Sequence, residues 1–216
     1  MTMDYTAARE RMVENQIRTT DVTSHSVLKA FLSIPRETFV SDRLKPVAYV
    51  DSDLEIAPGR YIMQPSPLAK LLQLAEIDKT CKVLEIGAGT GYVTSLLSEL
   101  AASVVSVESD SALADQARAN VGSRSNVEIV TGNLEAGYAG LAPYDVIVLS
   151  GSVIDIPDAI FEQMAEGGRL VAVIGRGLSS GAHLFLRENG TQSERFAFNA
   201  AVPALPGFAV APAFAF

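Results

Sequence analysis

Cysteine, histidine and tryptophan are scarce or missing in this chain of 216 residues, which has one cysteine, two histidines and no tryptophan. The single cysteine, Cys81, excludes an internal disulfide framework and a zinc site built from cysteines. His25 and His183 lie far apart along the chain, so the sequence predicts no metal site. We interpret all three residues as structural.

Basic clusters and long uninterrupted apolar runs are also lacking. The formal net charge is -8, which disfavours nucleic acid as a partner because neutralising phosphates needs clustered Lys and Arg. The N-terminus has no apolar signal-peptide core, and the apolar stretch 200–216 contains prolines and is shorter than the ~20 residues of a membrane helix. We therefore expect a cytoplasmic protein with no membrane contact, whose C-terminal stretch is an extended tail packed on the fold.

The pattern divides the chain into an N-terminal helical and covering segment, residues 1–78, and a core, residues 79–216. Helical spacing of apolar residues predicts helices between 4 and 33, with Asp21 or Thr23 as the cap of the second, and another helix over 68–77. Prolines and glycines between 36 and 65 predict an irregular covering segment rather than sheet.

Strand and helix patterns alternate after Cys81. The predicted strands are 82–86, 103–108, 126–130, 144–150 and 169–175, and the predicted helices are 92–101, 111–121 and 157–166. Strands this rich in Val, Ile and Leu are buried on both faces, which is typical of a parallel sheet covered by helices on both sides. Because Asn189-Gly190 favours a tight turn between two apolar runs, we predict a doubly wound, Rossmann-like α/β fold that ends in an antiparallel hairpin.

The segment EIGAGTG, residues 85–91, follows a predicted strand and opens a helix, where open α/β sheets bind ligands. Its glycines stand at the first, third and fifth positions, whereas the dinucleotide fingerprint needs glycine at the sixth, which is Tyr92. Glu85 would repel a pyrophosphate but favours an ammonium or sulfonium group. The pattern therefore predicts S-adenosylmethionine, and it leaves an NAD-dependent oxidoreductase as the weakest alternative.

Two positions on the following strands extend this predicted cofactor site. Glu108 ends the next strand, where a carboxylate can accept both ribose hydroxyls. Asn133 follows the third strand and can hydrogen-bond an adenine edge. The complete predicted cofactor-binding set is Glu85, Gly87, Ala88, Gly89, Gly91, Glu108, Asn133 and Leu134.

Several runs resemble one family over about residues 1–176. They are NQIRTTDVTSHSVLKAFLSIPRETFV, AYVDSDLEI, GRYIMQP, VLEIGAGTGYVTSLLSEL, VVSVE and GGRLVAVIG, and in this order they resemble the protein-L-isoaspartate O-methyltransferases. The resemblance implies the seven-stranded, mostly parallel sheet of class I methyltransferases, preceded by an N-terminal helical extension. It also implies methyl transfer from S-adenosylmethionine to the carboxylate of isoaspartyl residues in damaged proteins.

The run GRYIMQP, residues 59–65, stands where that family has roughly Gly-Gln-Thr-Ile-Ser-Gln-Pro, the segment that covers the cofactor and reaches the acceptor. Tyr61 replaces the Thr, and Met63 replaces the Ser considered catalytic, so these two positions are the candidate catalytic residues. A carboxylate acceptor is already ionised at neutral pH, so its methylation depends on placement and needs no general base.

An anionic acceptor also needs local cations, since the protein as a whole is acidic. Arg60, Gln64 and Arg36 form the predicted substrate-binding set, and the expected partner is a protein or peptide carboxylate. The differences at Tyr61 and Met63 leave two alternatives: the same fold with another acceptor, or a non-catalytic S-adenosylmethionine-binding module whose apolar C-terminus docks a partner. A homodimer is predicted only as one alternative for the oligomeric state.

Overall fold

The computed structural model describes residues 3–208, and it is built around one large sheet. The helices are α1 (Tyr5–Met12), α2 (His25–Ser33), α3 (Pro65–Leu74), α4 (Tyr92–Leu100), α5 (Ser111–Val121) and α6 (Asp158–Phe161). The strands are β1 (Leu54–Ala57), β2 (Arg60–Ile62), β3 (Lys82–Ile86), β4 (Ser103–Glu108), β5 (Val127–Thr131), β6 (Tyr144–Val153), β7 (Met164–Ile174), β8 (Gly181–Glu188) and β9 (Thr191–Asn199).

The large sheet has seven strands in the order β5-β4-β3-β6-β7-β8-β9. Strands β3 to β7 pair in parallel, whereas β8 runs antiparallel to β7 and β9 antiparallel to β8. The turn between β8 and β9 places Asn189 at φ 53° and Gly190 at φ 71°, the positive values that an Asn-Gly hairpin turn requires. The predicted fold class and its terminal antiparallel hairpin are both confirmed.

Alternation along the buried strands gives the sheet two apolar faces. In β3, Val83 packs in a cluster with α1 to α4, whereas Leu84 packs in a second cluster with α6 and the C-terminal residues Leu205 and Phe208. Burial on both faces explains the continuous Val, Ile and Leu pattern of these strands. Leu205 and Phe208 are therefore part of the core of the second face.

The N-terminal helices differ from the prediction at their junction. The first helical stretch runs from α1 through a π-helical turn at Val13–Ile17. It ends at Asp21, which takes the left-handed conformation at φ 66°. The side chain of Ser24 accepts a hydrogen bond from Val27 N, so Ser24 and not Asp21 or Thr23 caps α2. The predicted cap was wrong because three residues that can cap a helix, Asp21, Thr23 and Ser24, precede α2. Which of them caps the helix depends on the course of the backbone in the folded chain, which the sequence pattern does not give.

The covering segment is more regular than expected. β1 and β2 form a two-stranded antiparallel ribbon, with Glu55 opposite Tyr61. The turn between them uses Pro58 and Gly59, and Gly59 has φ 69°. The prediction of an irregular segment over 36–65 was wrong for these residues, because the same proline and glycine that disfavour a long strand make a tight ribbon turn.

The helix predicted over 157–166 is confirmed for Asp158–Phe161 and was wrong for the residues after it. Only α6 is helical, and β7 already begins at Met164, which pairs with Tyr144 of β6. Parallel pairing to β6 therefore overrides the helical spacing after Phe161, where Gly167 at φ 74° breaks the pattern further.

Residues 201–208, which we call the tail, pack on the large sheet. Ala204 forms a parallel bridge with Ser152 at the end of β6. The predicted packing of the C-terminal stretch is confirmed for the tail, and its remaining residues, 209–216, lie outside the described part of the chain. Between residues 3 and 208 no helix is long and apolar enough to cross a membrane. The division into two segments at residue 78 stays a prediction.

Candidate active site

The glycine loop, residues 87–91, lies at the carboxyl end of β3, in the middle of the sheet. Gly87, Gly89 and Gly91 have φ values of 93°, 56° and 91°, which are unfavourable for other residues. A Cβ on Gly91 would lie 3.0 Å from Val121 and 3.3 Å from Ala117 Cβ of α5, so glycine there lets α4 begin close to α5. The backbone amide of Gly87 donates to Val107 O at 2.9 Å and fixes the loop beside β4.

Glu85 precedes the loop and is fully buried. Its carboxylate accepts hydrogen bonds from three hydroxyls: Thr94 Oγ1 and Ser106 Oγ, both at 2.6 Å, and Ser150 Oγ at 2.9 Å. Burial raises the pKa of Glu85, and these three hydroxyl donors oppose that shift. Glu85 therefore joins α4, β4 and β6 behind the loop.

The three hydroxyl partners were missed by the sequence reasoning. Thr94 is fully buried on α4 and Ser106 fully buried on β4, where apolar residues surround them in the sequence. A hydroxyl in such an apolar run is a signal for a buried acceptor nearby, because buried polar groups need partners. Ser150 could have been noticed in the same way at the end of the predicted strand 144–150.

Glu108, the predicted ribose ligand, is fully buried at the end of β4 and forms an ion pair with Arg60. Both terminal nitrogens of the guanidinium contact the carboxylate, with Nη2 2.6 Å from Oε2. The backbone amides of Gly89 and Asp110 also donate to Glu108, at 2.7 and 3.0 Å. Arg60 is 7% exposed, so the pair is buried on both sides.

Asn133 and Leu134 lie on the neighbouring turn after β5. The amide of Gly132 donates to Glu108 O at 3.0 Å, which places this turn next to the end of β4. Asn133 is exposed and Leu134 is buried in the second apolar cluster. The structure thus places Asn133 and Leu134 at the carboxyl ends of the strands, where the glycine loop also lies.

The cover segment, residues 59–65, is anchored beside the glycine loop by a buried arginine side chain. Arg36 is fully buried, its Nη2 donates to Met63 O at 3.0 Å, and its guanidinium carbon lies 5.0 Å from the centre of the Tyr92 ring. Burial lowers the pKa of Arg36. These contacts make Arg36 a support for the segment, and its role in substrate binding stays a prediction.

Within the cover segment, the two candidate catalytic positions differ in exposure. Met63 is 2% exposed and belongs to the first apolar cluster. Tyr61 is half-buried, and its hydroxyl donates to Glu55 Oε1 at 3.3 Å. The negative charge of Glu55 raises the pKa of Tyr61. Gln64 turns toward the tail, because its Nε2 donates to Ala201 O at 3.1 Å.

The tail covers the opposite side of the same site. Leu205 N donates to Ser152 O at 2.8 Å, and Ser152 N donates to Pro203 O at 2.9 Å. The side chain of Leu205 lies on the glycine loop, since a Cβ placed on Gly87 would be 2.6 Å from its Cδ2. One cavity between the cover segment and the tail and another between Met63 and the glycine loop each measure about 10 Å³.

The residue types at this edge fit S-adenosylmethionine. A loop of glycines without side chains, a carboxylate behind it and a second carboxylate one strand away match the amino-acid and ribose parts of that cofactor. In the structure Glu108 and Gly87 contact the chain's own Arg60 and Leu205. Across residues 3–208 no cluster of three or more His, Cys, Asp or Glu could hold a metal ion.

The sheet order, the glycine loop after its first strand and the carboxylate that ends the second define a class I S-adenosylmethionine-dependent methyltransferase. A family model described as protein-L-isoaspartate(D-aspartate) O-methyltransferase matches residues 7–201. The chain therefore belongs to the protein-L-isoaspartate(D-aspartate) O-methyltransferase family, whose enzymes depend on S-adenosylmethionine.

Two curated relatives, both called protein-L-isoaspartate O-methyltransferase, show how much of the chain is shared. The one from Koribacter versatilis is 43% identical over 169 residues, which cover 77% of this chain and 76% of that protein. The one from Methanoculleus marisnigri is 44% identical over 169 residues, covering 77% of each.

Solved structures agree with the fold. A protein-L-isoaspartate O-methyltransferase matches with a TM-score of 0.80 and 31% identity, over 92% of this chain and 66% of that one. A protein from Plasmodium falciparum, solved with S-adenosyl-L-homocysteine, matches with a TM-score of 0.78 over 94% of this chain and 99% of that one. At 17% identity this second likeness shows the shared fold. The predicted family, enzyme class and cofactor are confirmed, whereas the roles of individual site residues stay predictions.

Proposed function

We propose that this chain methylates the carboxylate of L-isoaspartyl residues in proteins or peptides. The observation that supports it is the convergence of the glycine loop, Glu108 and the cover segment at the carboxyl ends of β3 and β4. That edge is where open α/β sheets bind their ligands. The family match over residues 7–201 supports the same acceptor.

In this proposal the site residues promote methyl transfer by orienting the cofactor and the acceptor carboxylate, and none of them has to transfer a proton. S-adenosylmethionine supplies, when bound, an electrophilic methyl group to a carboxylate oxygen. In the proposed arrangement the glycine loop and Glu108 hold the cofactor, and Glu85 adds a negative charge behind it. The cover segment excludes water from the reacting groups, and Gln64 can donate a hydrogen bond to the acceptor carboxylate. Orientation of this kind can supply roughly 7–11 kcal/mol of the barrier.

The test is transfer of labelled methyl from S-adenosylmethionine to an L-isoaspartyl peptide beside its L-aspartyl twin. We expect base-labile label on the isoaspartyl peptide alone. A Glu108→Ala variant should lose most of that label, whereas Arg195→Gln, an exposed change on β9, should not. Equal label on the two peptides, or none on either while S-adenosyl-L-homocysteine still binds, would reject the acceptor.

A second candidate function, the same reaction class with another acceptor, is favoured by Met63. This side chain is apolar and 2% exposed at the position where the family has a Ser. If the isoaspartyl acceptor is correct, Met63→Ser should raise the methylation rate of the isoaspartyl peptide, because one added hydrogen bond contributes about 0.5–1.5 kcal/mol. A rate that stays at zero in both proteins, together with methylation of a small molecule from cell extract, would favour the second candidate.

We further propose that the enzyme works in the cytoplasm and binds no nucleic acid. The formal net charge of -8 supports the second point, since it opposes binding to polyanions. A homodimer stays a prediction.

A further inference from the structure

We propose that the free protein holds its own cofactor site closed, with Arg60 in the place of the ribose hydroxyls and Leu205 against the glycine loop. S-adenosylmethionine then binds only in competition with these two side chains. The inference rests on the cofactor use assigned above, and it concerns affinity rather than the acceptor.

The first contact is the ion pair at Glu108. The guanidinium of Arg60 contacts both carboxylate oxygens, which are the atoms that a ribose diol would need. Both residues are buried, so the pair is shielded from water and resists exchange with a neutral ligand.

The second contact is that of the tail with the glycine loop. Leu205 reaches Gly87, and it also reaches Gly151, where an added Cβ would lie 2.8 Å from Leu205 Cγ. Leu205 is 6% exposed and belongs to the apolar cluster of the second sheet face. Two backbone hydrogen bonds to Ser152 fix the tail in this position.

The two contacts belong to one closed arrangement. Arg60 is on the cover segment, and the same segment binds the tail through Gln64 Nε2 and Ala201 O. One cavity is lined by Arg60, Pro203 and Leu205 together, and its volume is about 10 Å³. Small-molecule pockets measure roughly 300–1,000 Å³, so these side chains have to move before a nucleoside-sized ligand fits.

The closed arrangement sets a measurable cost for binding. If the open form is about one tenth of the population, the apparent Kd is about 10-fold weaker than that of the open form. Removing either contact should recover most of that factor. The carboxylate of Glu108 keeps the amides of Gly89 and Asp110 as donors when Arg60 is replaced, so the variant retains partners for this buried charge.

The experiment is calorimetric titration of the full chain with S-adenosyl-L-homocysteine. We expect Arg60→Gln and Leu205→Ala each to lower Kd by about 10-fold, and the matched control Arg195→Gln to leave it unchanged. Circular dichroism and thermal unfolding establish that each variant is folded. An unchanged or weaker affinity in folded Arg60→Gln and Leu205→Ala would overturn the proposal.

Hydrogen exchange of the wild-type chain gives a second readout. Saturating S-adenosyl-L-homocysteine should speed amide exchange at Leu205, because the bond from its N to Ser152 O breaks when the tail leaves. Slower exchange at Leu205 in the complex would show that the tail stays in place, which would overturn its part in the closure.

The outcomes separate this inference from the proposed function. Tighter binding by the variants with no methylation of isoaspartyl peptide by any of them supports the closure and rejects the acceptor. No binding by the wild type or by either variant overturns the closure together with cofactor use.

Discussion

At the residue scale, Glu85 shows how a buried carboxylate can organise a site. It has no exposed surface, and three hydroxyls from α4, β4 and β6 donate to it. An acid in this position is costly when ionised, but the negative charge is what favours a sulfonium ligand nearby. Glu85 therefore gives the site an electrostatic preference for a cationic ligand at a cost in stability.

This cost predicts how stability depends on pH. Burial raises the pKa of Glu85 in the folded state above the ~4.3 of an unfolded glutamate. The folded state therefore holds the proton more tightly, and the stability that Glu85 contributes is full below the unfolded pKa and is lost as pH rises through the folded pKa. Relative to a Glu85→Gln variant, the free energy of unfolding of the wild type should fall as pH rises from about 4.

Urea denaturation of both proteins between pH 4 and 8 measures this difference. Ser106→Ala serves as a comparison, since it removes one donor and leaves the carboxylate in place. A wild-type advantage over Glu85→Gln that grows with pH would mean that the hydroxyl donors outweigh burial.

At the scale of single elements, the glycine loop depends on the contact between α4 and α5. Gly91 begins α4 at φ 91°, and a Cβ there would press against Val121 and Ala117. We expect Gly91→Ala to lower the free energy of unfolding by about 1–3 kcal/mol through backbone strain. The loss should exceed that of strain alone, because the added Cβ also pushes against α5. Urea denaturation measures the loss.

The matched control for Gly91 is Gly177→Ala in the turn before β8. Gly177 has φ 59°, and a Cβ there would meet nothing within 4 Å. It therefore reports backbone strain without the contact. Equal losses in the two variants would contradict a packing role for Gly91.

The elements also show which sequence signals are reliable. Asn189-Gly190 predicted the hairpin correctly because the turn is determined by the local preference of two residues. The helix predicted over 157–166 ends early, at Phe161, because β7 gains parallel pairing with β6 from Met164 onward, and no local pattern encodes that partner. The same limit explains why Ser24 was missed as the cap of α2.

At the scale of the whole molecule, the site combines parts that lie far apart in the sequence. The residue types of the glycine loop and Glu108 were identified from the sequence because strand ends of a parallel sheet meet at one edge. The ion pair of Arg60 with Glu108 and the contact of Leu205 with Gly87 were not identified from the sequence. Both contacts depend on how the cover segment and the tail fold back over the sheet. Spacing carries no information on contacts of this kind.

The acidity of the whole molecule gives a prediction about substrates. With a formal net charge of -8, the protein repels anionic peptides at long range and attracts cationic ones. Of two isoaspartyl peptides with the same central residues, the one with added Lys should have the lower KM at low salt, and the one with added Glu the higher. The advantage should shrink between about 10 and 150 mM NaCl, because the Debye length falls from roughly 30 Å to 8 Å. A KM ratio that does not change with salt would place the discrimination in short-range contacts of the site instead.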